Sequence, residues 1–160
     1  ERTAVQKLGR VLRHVLYDNQ QSFVTLNKEM DFIRNYIELM RIRYTDAVDI
    51  RIEHPSTLPA RITIPPLLLI VFVENAFKHG VGANKASFIH IRIDCNEDKV
   101  TAVIANSRFK IAHPKHSDGI GLKNVRKRME LIYGPKNYEL RIEETADTYT
   151  VNLEIPTLHA

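Results

Sequence analysis

The stretch 65–80, PPLLLIVFVENAFKHG, constrains the fold more than any other. Every side chain from Leu67 to Val73 is apolar, and a helix that is apolar all round must be buried. Glu74, Asn75, Lys78 and His79 then break the pattern. Polar groups buried without partners cost free energy, so this helix has to meet something with its last turns. Residues three and four apart share a helix face, which makes Asn75, Lys78 and His79 one polar stripe with Val71 above it. An Asn carbonyl oxygen suits a hard cation such as Mg²⁺, and a Lys ammonium suits phosphate. His can hydrogen-bond or stack. A plainer reading fits as well. Lys78 and His79 would complement the helix dipole, Glu74 would pair with Lys78, and Asn75 would be bonded internally. The stripe alone does not separate the two.

Around this helix the chain reads as α+β. Pro65 and Pro66 open the helix, where a missing N–H does no harm, and Gly80 is its C-cap candidate. Ahead of it, Leu8, Val11, Leu12, Val15 and Leu16 predict a helix over 2–17. Thr25 is the expected N-cap of a second helix over 26–43, with Met30, Ile33, Ile37 and Met40 on one face. VDIRIEH alternates as a strand, and PSTLPARITIPP reads as a turn-rich connector. SFIHIRIDCN and KVTAVIAN, separated by EDK, predict a hairpin, and YELRIEE with TYTVNLEIP predicts a second. Between the hairpins lie an irregular basic loop, SRFKIAHPKHSDGIG, and a fourth helix ending at Gly134. This order implies a two-layer sandwich, with helices on one face of a mixed, mostly antiparallel sheet and further helices before it.

A second feature points the same way as the stripe. DGIGLKN, residues 118–124, places Gly119 and Gly121 just before a helix. Glycines let backbone approach phosphate, and the helix start offers free N–H groups. Lys123 in that first turn suits an anion sitting there. The rival reading is an ordinary loop-to-helix turn. Asn106 closes a strand in VIANS, where it either points into a cleft or simply leaves the strand.

Composition narrows the alternatives. The 160 residues are enough for one domain with a real core. A net charge of +4 suits an anionic ligand but is too small to argue for nucleic acid, and no direct nucleic-acid binding is expected. The single cysteine, Cys95, excludes an internal disulfide and is expected to pack as a small hydrophobe. No stretch is long and apolar enough to span a bilayer. Because residue 1 is Glu, we expect an excised piece of a longer protein.

Taken together, PPLLLIVFVENAFKHG and GIGLKNVRKRMELIYG resemble the LytS/YehU type of sensor histidine kinase, in the GHKL ATP-binding superfamily. FVTLNKEMDFIRNYIELMRIRY is similar to that family's segment between the phosphoacceptor helix and the ATP domain, and the NS after the strand resembles forms from Bacteroidetes. The resemblance implies the Bergerat fold. It divides the chain into a helical segment, 1–44, and an ATP-binding catalytic domain, 45–160. Asn75 matches the family's Mg²⁺-binding asparagine, and Lys78 and His79 match positions lining the nucleotide. Gly119, Gly121 and Leu122 match the glycine box, with Lys123 and Asn124 following it among the nucleotide-binding positions. Residues 107–118 match the mobile lid over ATP.

Three departures qualify the match. Asn106 stands where many relatives have an aspartate that accepts from the adenine amino group, and Arg108 replaces a glycine. Val71 occupies the place of the water-activating glutamate of ATP-hydrolysing members, which fits a kinase. The family's acceptor motif, NPHFLFN, is absent, and His14 in LRHVLYD is expected to be an exposed bystander. The resemblance therefore implies ATP and Mg²⁺ as cofactors and transfer of the γ-phosphate to a histidine outside this chain, then to a response regulator, with LytTR-type DNA-binding regulators among the candidates. It also implies a homodimer in the full-length protein, and a cytoplasmic position below an inner-membrane anchor. The alternative is a degenerate, nucleotide-free domain acting as a dimerisation scaffold. A zinc site from His113, His116 and Asp118 is a weaker rival, because no cysteine or fourth ligand is near.

Overall fold

A computed structural model describes residues 23–44, 48–82, 85–109 and 120–159. The expected helix over 2–17, His14, and the His113, His116 and Asp118 group lie outside the described residues. Among the described residues, no group of three His, Cys, Asp or Glu is placed to hold a metal ion.

Strand β1 (Val24–Thr25) leads directly into α1 (Leu26–Arg43). The Thr25 side chain accepts from the N–H of Lys28 at 3.2 Å, which is the expected N-cap. Strands β2 (Val48–Glu53) and β3 (Ile62–Ile64) follow, and then α2 (Leu68–Gly80). The hairpin of β4 (Ser87–Cys95) and β5 (Lys99–Ser107) precedes α3 (Ile120–Tyr133). Strands β6 (Glu139–Glu144), β7 (Thr148–Pro156) and β8 (Leu158–His159) complete the chain.

The main sheet has the order β2-β4-β5-β7-β6, parallel only between β2 and β4. Its alternation fixes which face is buried. Val48 and Ile50 on β2, Ile89, Ile91 and Ile93 on β4, Val100, Ala102 and Ile104 on β5, and Val151, Leu153 and Ile155 on β7 all point into one core. Against that face pack the buried residues of α2 and, from α3, Leu122, Val125, Met129 and Tyr133 at helical spacing. Leu26, Met30, Ile33 and Ile37 bring α1 into the same core. Truncating a side chain such as Phe72, 2 % exposed, would cost about 3–5 kcal/mol. Cys95 is half-buried against this core, and burial raises its thiol pKa above the usual value.

Three local expectations need correction. The connector PSTLPARITIPP contains β3, which pairs with β1 on one side and β8 on the other in a small separate sheet. Pro65 and Pro66 do not themselves open α2. The helix begins at Leu68, after Leu67 takes a left-handed conformation with φ 61°. Gly80 is the last helical residue rather than a left-handed cap, and what requires glycine there is space. A Cβ at Gly80 would sit 2.7 Å from the Asn106 Cβ and 2.9 Å from the Ile89 Cδ1. Gly134, with φ 83°, does end α3 as expected.

Candidate functional site

The site begins on α2, where the buried pattern gives way. Phe72, Val73, Ala76 and Phe77 face the core, Asn75 is half-buried, and Lys78 and His79 are exposed. Among the described residues, neither the Asn75 nor the Lys78 side chain has a hydrogen bond or an ion pair. Burial first, and the neighbouring Lys78 charge second, hold the His79 pKa below its ordinary value of 6.5. The imidazole is therefore neutral at neutral pH, able to hydrogen-bond without adding charge.

The end of β5 is fixed against the last turn of this helix. Continuing the alternation of Val100, Ala102 and Ile104, Asn106 falls on the core face and is 2 % exposed. Its Nδ2 donates to the Ser107 carbonyl at 2.9 Å, so the free end of the amide is the acceptor oxygen, Oδ1. Ser107, 6 % exposed, joins three elements at once. Its hydroxyl donates to the Gly80 carbonyl at 2.6 Å and accepts from the Phe88 N–H at 3.1 Å. The lid was expected from residue 107, but Ser107 belongs to β5 and acts as an anchor. Beyond it, Arg108 is held by Glu144 at 3.3 Å and by the Thr145 carbonyl at 3.0 Å, while its N–H donates to the Asp147 carbonyl at 2.7 Å. The Phe109 ring lies where a Cβ on Gly82 would be, at 2.6 Å.

The glycine turn is only partly described. Gly119 and residues 110–118 lie outside the described residues. Gly121 lies in the first turn of α3, which carries no acidic residue. Leu122 packs into the core at 7 % exposed, so its side chain supports the turn, and Lys123 and Asn124 are exposed. Val71 is half-buried above Asn75 and offers no base. The structure thus sets the end of α2, at Gly80, against the Asn106 strand end. Sequence reasoning missed Ser107, whose only signal was a small hydroxyl residue where a strand meets a loop.

Comparison with known proteins agrees with this fold. The family model described as Histidine kinase matches residues 1–48. The sensor protein LytS of Streptococcus mutans is 27% identical over 169 residues, covering 97% of this chain and 28% of that protein. The sensor protein kinase HptS of Staphylococcus aureus is 39% identical over 79 residues, covering 49% of this chain and 15% of that protein. The chain therefore spans less than a third of the curated relatives it matches. Among solved structures, the histidine kinase domain of a blue-light-activated kinase from Erythrobacter litoralis superposes with a TM-score of 0.65 at 12% identity, over 98% of this chain and 75% of that one. The histidine kinase ThkA, solved in complex with the response regulator TrrA, gives 0.60 at 18% identity, over 98% of this chain and 49% of that one. Full-length ShkA in complex with AMPPNP gives 0.62 at 19% identity, over 100% of this chain and 39% of that one.

The fold is that of a histidine-kinase catalytic domain. In sequence the chain is similar to the sensor proteins LytS and HptS.

Proposed function

We propose that this chain is the ATP-binding catalytic part of a two-component sensor kinase. In this reading Mg²⁺-ATP binds against α2, the end of β5 and the start of α3. Asn75 offers its side-chain oxygen to the cation, and Lys78 places a charge toward the phosphates. His79 lines the nucleotide, and Asn106 presents Oδ1 to an exocyclic amino group of the base. Gly121, Lys123 and Asn124 offer backbone N–H groups and charge at the start of α3, and Gly119 is assigned to the same phosphate-binding turn by its place in the sequence. Bound Mg²⁺-ATP would supply the γ-phosphoryl group. Phosphoryl transfer depends mainly on positioning and charge neutralisation, which suits a site with no water-activating base at Val71. The acceptor would be a histidine outside this chain, and then an aspartate of a response regulator. ThkA, seen with TrrA, is a structural neighbour that has such a partner.

We further propose that residues 1–44 link the acceptor helix to the catalytic residues 45–160. This is a division of role, since α1 shares the core of the sheet. The whole protein would be a homodimer working on the cytoplasmic side of a membrane-anchored sensor. Among the described residues, no helix is long and apolar enough to cross a membrane.

The observation that carries this reading is the pair Asn75 and Lys78, one helical turn apart and without side-chain partners among the described residues, on the helix whose last residue packs against Asn106. Calorimetric titration with AMPPNP and Mg²⁺ tests it. The chain should bind at a Kd no weaker than millimolar (about −4 kcal/mol). Asn75→Ala should abolish binding while the melting temperature stays near that of the parent. No binding by the parent would refute the reading, and a large loss of stability in Asn75→Ala would make that residue structural.

A further inference from the structure

Glu29 takes no part in the chemistry proposed above, yet it is fully buried. It sits in the first turn of α1, between the core residues Leu26 and Met30. A buried carboxylate in an apolar setting must answer a specific need. Its Oε2 accepts the N–H of Leu67, 38 residues further along, at 3.2 Å. Leu67 is the residue from which α2 departs, and it is the only non-glycine residue with positive φ among those described. Leucine adopts that conformation only where its surroundings hold it there.

α2 also lacks an N-terminal partner of its own. It has no side-chain cap and no acidic residue in its first turn. The opening N–H groups of a helix need acceptors and favour negative charge. Glu29 meets both needs from a different helix. One side chain on α1 therefore holds the start of α2, the helix that carries Asn75 and Lys78. α1 contacts the far end of α2 as well. The Tyr36 ring meets Phe77 edge-on at 5.8 Å, and the Tyr44 ring stacks on it at 6.3 Å, one residue before Lys78.

We infer that Glu29 is a positioning residue for the nucleotide site, and that α1, held to α2 at both ends, is the element through which upstream chain sets the pose of α2. This rests on the proposal that α2 carries the nucleotide site. The reasoning is mechanical. An α-helix moves nearly as a rigid body, and Asn75 lies about two turns from Leu67. A change at the Leu67 N–H is therefore delivered to Asn75, Lys78 and His79 together.

The test uses the whole chain with three substitutions. Glu29→Gln keeps an oxygen for the Leu67 N–H but removes the charge. Leu67→Asn puts in a residue that tolerates left-handed backbone. The third is their combination. Affinity for Mg²⁺-AMPPNP, the melting curve and amide hydrogen exchange at 67–79 are read for each. We expect Glu29→Gln to melt cooperatively, to bind about tenfold more weakly, and to exchange faster at 75–79 as well as at Leu67. Adding Leu67→Asn should recover most of the affinity, because the backbone then holds its conformation without the carboxylate. Affinity within twofold of the parent, with faster exchange confined to Leu67, would overturn the inference. So would a loss of both cooperative melting and binding that Leu67→Asn does not rescue, since Glu29 would then only hold the core. If the parent itself binds no nucleotide, the proposed function fails separately. Exchange at 75–79 then decides, faster exchange in Glu29→Gln supporting transmission along α2 and unchanged exchange refuting it.

Discussion

Removing one hydroxyl, that of Ser107, should loosen three elements together. Ser107→Ala leaves the Gly80 carbonyl without its 2.6 Å donor and the Phe88 N–H without its 3.1 Å acceptor. Ser107 is 6 % exposed, so water does not readily replace either bond. A buried group left unsatisfied costs about 1–3 kcal/mol, and two of them place the expected loss at about 2–6 kcal/mol. The cavity left by one oxygen adds little. Urea unfolding followed by far-UV circular dichroism reads this directly. With a slope of about 2 kcal/mol/M, the midpoint should fall by about 1–3 M without a change in slope. In a thermal scan, about 3 kcal/mol corresponds to a drop of about 6–12 °C for a chain of this size. A midpoint within about 0.25 M of the parent, well under 1 kcal/mol at that slope, would show that the hydroxyl is not the joint between α2, β4 and β5.

Two other changes probe the same corner of the molecule. Gly80→Ala should destabilise by about 1–3 kcal/mol despite a helix-propensity gain of about 1 kcal/mol, because its Cβ would meet the Asn106 Cβ rather than a flexible tip; a raised urea midpoint would refute the close approach. His79 has a folded pKa below its unfolded value of 6.5, so the unfolded chain takes up the proton first as pH falls. The stability it allows is complete above about pH 6.5 and declines below it. His79→Asn should flatten that decline in urea midpoints between pH 7 and 5, and an unchanged slope would sink the assignment.

What was legible in the sequence is what local chemistry decides. The four strands β4 to β7 follow from period-two alternation, and Thr25 from the chemistry of an N-cap. Asn75 and Lys78 stood out because a polar stripe on an all-apolar helix has few explanations. What was missed depends on partners far away in sequence. β3 is three residues long and buried throughout, so it shows no alternation to read. Leu67 turns left-handed under the hold of Glu29, and nothing near Leu67 signals it. Glu29 itself reads as the polar flank of an amphipathic helix until α2 is set beside it. Gly80 looked like a cap because glycine after a helix usually is one. Its actual reason, the close approach of Asn106, exists only once β5 lies against α2.

The small sheet has a consequence for the order in which the chain assembles. β3 is paired with β1 nearby and with β8 nearly a hundred residues later, and the Thr63 hydroxyl donates to the Leu158 carbonyl at 3.2 Å. Contacts separated by so much chain carry a large loop-closure cost and form late. During synthesis, every strand of the main sheet is available before residue 158 leaves the ribosome, while β3 still has one open edge. The strand that leads into Leu67 and α2 therefore gains its second neighbour only when β8 docks. A nascent chain can have its main sheet built while the approach to its Asn75 helix is still unlatched.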